Sequence, residues 1–237
     1  MKKTIAIILT AVALTGCFNI KVKDGLLTVG DETVELASLK KIKSEGPAVK
    51  KAYEAADFSS IKITGAYDLV FTQGDSAAVV IEAAENIHGY LDVKVAGGTL
   101  ILSTKEKVNV DKVKAYVTNP ALAELGINGA GDVDFEGPVK IDDLAIEING
   151  AGDVSVDKLS CKDLGVKING AGDLDIKDID CNDISIRING AGDATLSGKA
   201  ANVDATINGV GEIDARELDV SGNFNKKIAG IGSVKRK

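Results

Sequence analysis

The chain has no Trp, one His and one Met, and only four Tyr and five Phe in 237 residues. A compact core leans on large rings, so this shortage favours thin stacked layers filled by Ile, Val and Leu of similar size. Three Pro beside 26 Gly exclude a collagen or a Pro-rich linker and fit many tight turns. Cations are outnumbered: the formal net charge is −7, and removing Lys2 and Lys3 with the leader described below takes it to −9. An acidic surface disfavours nucleic acid and anionic membrane as partners. After the first 17 residues no apolar run is long enough to span a bilayer. What is present is a 45% apolar content, enough for a real core.

Met1-Lys2-Lys3 followed by apolar Thr4 to Leu14 reads as a secretory leader. Leu14-Thr15-Gly16-Cys17 resembles the lipobox of bacterial lipoproteins, which implies cleavage before Cys17 and a diacylglycerol on its thiol. Such a protein is tethered to a membrane without spanning it. Phe18 after the lipidated Cys resembles an outer-membrane address, with the membrane face left open. Asn19 to Val29 alternates around Asp24-Gly25, a hairpin signal. Thr33 to Glu54, rich in Lys, Glu and Ala, reads as a tether with a short helix around Ala48 to Ala56.

From there the chain repeats itself. Ile-Asn-Gly-Ala-Gly-Asp occurs at 127–132, 148–153, 168–173 and 188–193, and degrades at 207–212 and 228–233. The leading Ile residues are 21, 20, 20, 19 and 21 positions apart, the signature of a solenoid. Apolar residues alternate on both sides of the hexapeptide, as in Leu144, Ile146, Ile148 and then Val154, Val156. Two half-buried strands joined by a Gly-Ala-Gly turn follow from that period. Across copies, the place of Ile146 is held by Leu125, Val166, Ile186 and Ala205, and that of Val156 by Phe135, Ile176, Leu196 and Ala215. Such columns predict an all-β parallel β-solenoid with coils of about 20 residues, right-handed as parallel crossovers are. A blurred copy at 63–74 matches 127–137, so the N-terminal coils are less regular. Ala96-Gly97-Gly98 there signals a hairpin and hence a mixed sheet. Val234-Lys235-Arg236-Lys237 at the end would discourage edge-to-edge growth.

The repeated hexapeptide, the lead-in Phe58 to Gly65 and the terminal Ile228 to Val234 resemble the putative auto-transporter adhesin head GIN domain family of bacterial envelope lipoproteins. The resemblance covers 58–237, leaving 1–16 as signal peptide and 17–57 as lipidated Cys and tether. It implies a β-helical fold and an adhesive role, and carries over no catalytic residue.

Four columns carry candidate chemistry. Asn128, Asn149, Asn169, Asn189 and Asn208 are placed to form an amide ladder that stabilises the stack. Asp132, Asp153, Asp173, Asp193 and Glu212 align carboxylates ~5 Å apart, which costs roughly 1 kcal/mol per contact in water. Two offsets are open: each Asp accepts N–H groups of its own turn, or a row of Ca²⁺ ions bridges them. Calcium is disfavoured, because each turn offers one carboxylate where the ion takes six or more oxygens. Cys161 and Cys181 occupy the same repeat position and form either a disulfide or a pair of stacked thiols. Glu147, Lys167 and Arg187 share an outward column where opposite charges help fix register.

These features favour a non-catalytic envelope lipoprotein, an adhesin or a scaffold, anchored in the outer membrane. Its partners beyond the membrane itself are another envelope protein or a surface glycan, with no nucleic acid and no cofactor. A calcium-stabilised binding module is the alternative. A polysaccharide-active β-helix enzyme is less favoured: His88 reads as a turn residue, and Arg187, Arg216 and Arg236 are the only arginines. Repeated small residues do not make the unique, convergent groups of a catalytic site.

Overall fold

The computed structural model describes residues 20–23, 26–29, 32–35, 40–105, 108–111 and 113–237. The leader and Cys17 lie outside the described residues. Two units are distinguished, Met1–Lys40 and Lys41–Lys237. In the first, Ile20–Lys23, Leu26–Val29 and Glu32–Glu35 form an antiparallel three-stranded sheet, its first pair the hairpin that the alternation predicts.

The second unit is a parallel β-solenoid built from one 16-stranded sheet that folds over on itself. Strands leading into the hexapeptide make its front face, and strands leaving it make the back face. In the regular half the two faces are joined by long bent strands, Val154–Ile168, Leu174–Ile188 and Ala194–Ile207, each serving the back of one coil and the front of the next. The columns expected from the repeat are the observed registers: Leu125 opposes Ile146, Ile146 opposes Val166, and Val166 opposes Ile186. Ile127, Ile148, Ile168, Ile188 and Ile207 are all fully buried in one line. Each such side chain contributes about 1.5–3 kcal/mol by leaving water.

The N-terminal half is mixed. Ser60–Gly65 and Tyr67–Gln73 form a coil directly against Glu124–Gly129 and Val133–Lys140, with Ile63 opposite Ile127 and Phe71 opposite Phe135. The chain between them runs to the outer side of that coil. Thr99–Thr104 and Val113–Asn119 add a further coil there, parallel to Ser60–Gly65 and Tyr67–Gln73. Two antiparallel edges finish this end, Leu91–Ala96 on the front and Ala78–Ala84 followed by Ala48–Tyr53 on the back.

Ala48–Tyr53 corrects one expectation: it is a strand, not a helix. The open edge of Ala78–Ala84 supplies backbone partners, setting Val49 opposite Ala83 and Tyr53 opposite Val79, and this pairing overrides the helical leaning of a Lys- and Ala-rich segment. Asn119, almost wholly buried, fastens the returning chain. Its Nδ2 donates to Phe58 O at 3.0 Å while its Oδ1 accepts the Ala121 N–H at 2.8 Å.

Candidate functional site

The hexapeptide forms one corner of every regular coil, and both of its glycines are required by stacking. A Cβ on Gly150 would lie 1.7 Å from Gly129 O, and one on Gly152 would lie 2.2 Å from Gly131 O. The backbones approach this closely because each turn donates to the one before: Ala151 N–H to Gly129 O at 2.9 Å, and Ala171 N–H to Gly150 O at 2.8 Å. These glycines therefore serve coil-to-coil contact.

The Asp column is compensated by the backbone of the next coil. Asp153 N–H donates to Asp132 Oδ1 at 3.3 Å, Asp173 N–H to Asp153 Oδ1 at 2.9 Å, Asp193 N–H to Asp173 Oδ1 at 2.8 Å, and Glu212 N–H to Asp193 Oδ1 at 2.7 Å. The donor is thus not the residue's own turn, as the sequence led one to expect, but the equivalent residue one coil on. Parallel in-register stacking brings that N–H over the carboxylate. A hydrogen bond to a charged acceptor contributes about 1.5–3 kcal/mol. Even at the low end for these exposed side chains, that matches the ~1 kcal/mol repulsion between neighbours in bulk water, and it offsets part of the roughly 3–4 kcal/mol at an effective dielectric of 20. The ladder closes at Glu212, which accepts Ser233 Oγ at 2.8 Å and Lys235 Nζ at 2.7 Å. Those two bonds, the lysine's foremost, hold the Glu212 carboxyl below its ordinary pKa.

Beside it runs the amide ladder. Asn149 Nδ2 donates to Asn128 Oδ1 at 3.1 Å, and the rungs Asn169 to Asn149, Asn189 to Asn169 and Asn208 to Asn189 follow at 2.7, 2.8 and 2.8 Å. On the front face Lys167 pairs with Glu147 at 3.2 Å, which also accepts from Asn169. Ala145, Gly165 and Ser185 floor a shallow groove edged by Glu147, Lys167 and Arg187. A second open groove on the back face is walled by Asp132, Asp134, Asp153, Ser155, Asp173 and Asp175. In it Ser155 Oγ donates to Asp134 Oδ1 at 2.9 Å, so the interleaved hydroxyl relieves the acids.

Cys161 and Cys181 stand opposite each other in register with Cα atoms 4.7 Å apart, and their sulfurs are bonded. His88 is structural: Tyr53 Oη lies 3.0 Å from its Nδ1 and Val49 O lies 3.1 Å from its Nε2. It clasps the edge strand Ala48–Tyr53 to the body. Among the described residues no three His, Cys, Asp or Glu side chains converge in a way that could hold a metal ion. Nor is any described helix long and apolar enough to cross a membrane.

Two further residues stand outside the four columns. Asp68 is the first rung of the acidic ladder, its Oδ1 accepting Asp132 N–H at 3.3 Å; the match of 63–74 to 127–137 already placed it there. Gln73 clamps two segments far apart in sequence, donating to Pro120 O and Lys140 O at 2.8 Å each and accepting Lys140 N–H at 2.7 Å. Nothing in its local sequence signals that role.

The family model described as "Putative auto-transporter adhesin, head GIN domain" matches residues 57–177 and 158–235. Among solved structures, a putative adhesin from Bacteroides fragilis is 25% identical with a TM-score of 0.70, over 83% of this chain and 100% of that one. A putative adhesin from Parabacteroides merdae is 25% identical with a TM-score of 0.73, over 83% of each chain. One from Parabacteroides distasonis is 23% identical with a TM-score of 0.75, over 82% of this chain and 84% of that one, and speaks to the fold. No curated protein matches the chain.

Proposed function

The chain belongs to the putative auto-transporter adhesin, head GIN domain family, and from that premise we propose that it is a non-catalytic adhesin of the bacterial cell envelope, lipid-anchored through Cys17 in the outer membrane. The carrying observation is that the repeat coils from Glu124 to Arg236 stack with outward columns that repeat rather than converge. A catalytic site needs unlike groups brought to one point. This head instead offers repeating faces of laddered Asn, laddered Asp and the Glu147, Lys167 and Arg187 column, suited to many weak contacts made together. The lipobox at Leu14 to Cys17 and the stretch that separates Cys17 from the solenoid unit, which begins at Lys41, support the address.

Treating intact cells with an impermeant protease tests the reading. A surface adhesin loses its head on intact cells; a head cut only after the outer membrane is broken would overturn surface adhesion and leave a periplasmic scaffold.

A further inference from the structure

The hexapeptide does not decay at random toward the C-terminus. Its fourth position is Ala in four copies, at Ala130, Ala151, Ala171 and Ala191, then Val210 and Ile231. This position is the outward corner of the coil: Ala191 bridges Val210, and Val210 pairs with Ile231. Val210 is 53% exposed and Ile231 78% exposed, and Ile228, three residues before Ile231, is 43% exposed. These are the large hydrophobic residues that the described chain leaves in water.

The same coil is cationic. From Ser221 to Lys237 it carries Lys226, Lys227, Lys235, Arg236 and Lys237 with no acid, in a chain whose net charge is −7. Lys226 pairs in register with Ala205, and Arg236 with Ala215, both core positions one coil earlier. Arg236 lies 5.1 Å over the Phe224 ring, and Lys235 is tied to Glu212. Lys226, Lys227 and Lys237 make no ion pair among the described residues.

Charge at core positions stops another coil from stacking, as an open solenoid requires. Blocking growth, however, needs cations alone, and exposed Val and Ile on the same edge would work against it. The combination fits a surface that is negative outside and hydrocarbon beneath, where basic side chains meet headgroups and aliphatic tips enter the boundary. A second copy is a poor occupant, since two such ends repel.

We propose that this C-terminal end of the solenoid is a docking tip for an anionic lipid bilayer. The net acidic charge that disfavours an anionic membrane belongs to the body, since 221–237 carries no acid, and repulsion of the body turns the molecule tip-first toward the bilayer. Ala48–Tyr53, the edge strand next to the tether, lies at the opposite end of the stack. If the chain is anchored as proposed above, the tip therefore provides a second attachment point. The docking itself does not depend on that anchor.

Vesicle co-sedimentation of the chain from residue 17 onward carrying Cys17→Ser, which lacks the basic, apolar leader and cannot be acylated, tests the tip separately from cell-surface display. The probes are phosphatidylcholine vesicles with and without phosphatidylglycerol. Binding is expected only to weaken with added salt and to favour the anionic vesicles about tenfold or more. Val210→Ala with Ile231→Ala restores the residue four coils already carry, so the fold is kept. This pair, and separately Lys226→Gln with Lys227→Gln, should each lower affinity for anionic vesicles about tenfold at unchanged melting temperature. Equal binding to both vesicle types, or variants that bind as the parent does, would overturn the proposal. So would competition by a soluble acidic polysaccharide as strong as that by the vesicles, which would make the partner a glycan.

Discussion

The regular coils from Glu124 onward and the irregular half before them reach stability by different routes. In the regular coils one interaction is copied: Ile over Ile, Asn over Asn, and each Asp under the next coil's N–H. In the other half the contacts are single and made by unlike residues, such as Asn119 to Phe58, Gln73 to Lys140 and His88 to Tyr53. The first arrangement spreads stability over many equal rungs; the second concentrates it in a few.

Glycine gives the largest test of that contrast. Gly150→Ala forces a Cβ into Gly129 O and should cost about 3 kcal/mol or more by thermal unfolding. Gly97→Ala in the irregular half meets nothing within 4 Å and pays only for its φ of 58°, about 1 kcal/mol. Reduction of Cys161–Cys181, or Cys181→Ser, reopens a link across 20 residues and should lower stability by about 3 kcal/mol, seen as a melting shift on adding thiol. Asn119→Ala orphans the Phe58 carbonyl and the Ala121 N–H and should cost about 1–3 kcal/mol in denaturant unfolding. Asn169→Ala, one rung among several in water, should cost well under half of that.

The smallest expected effect is of acid. Arg216 holds the Asp214 carboxyl down to about 2 from an ordinary 3.8, and Glu212 is lowered by Lys235 and Ser233. A carboxyl whose folded pKa lies below its unfolded one stabilises fully above about pH 4, and that contribution disappears as pH falls toward 2. Asp214→Asn should flatten the acid limb of a melting-temperature profile, with a small loss at pH 7 and the variant matching the parent as pH nears 2.

Much of the solenoid is legible because a strict period fixes both spacing and facing. Once Ile148 and Ile168 share a position, Ile146, Val166 and the Asn and Asp columns follow by parity. Where the period lapses, legibility lapses too. Nothing in Thr99 to Asn119 shows that it stacks on the outer side of the 60–73 coil, since pairing across an edge depends on which edge is open. Ala48–Tyr53 reads as helical from composition and becomes a strand because such an edge was waiting. For the Asp column, residue identity showed the repulsion but not its remedy, because the compensating N–H belongs to the next coil and appears only when the two are in register.

Each Asp of this column accepts the next coil's N–H, and the double change Asp153→Asn with Asp173→Asn shows whether those donors hold it without a cation. Asn keeps an Oδ1 to accept the next N–H and removes two adjacent charges. The melting temperature should therefore hold or rise, with calcium or chelator shifting neither parent nor variant. A lower melting temperature in the variant, together with a parent stabilised by calcium, would contradict the claim.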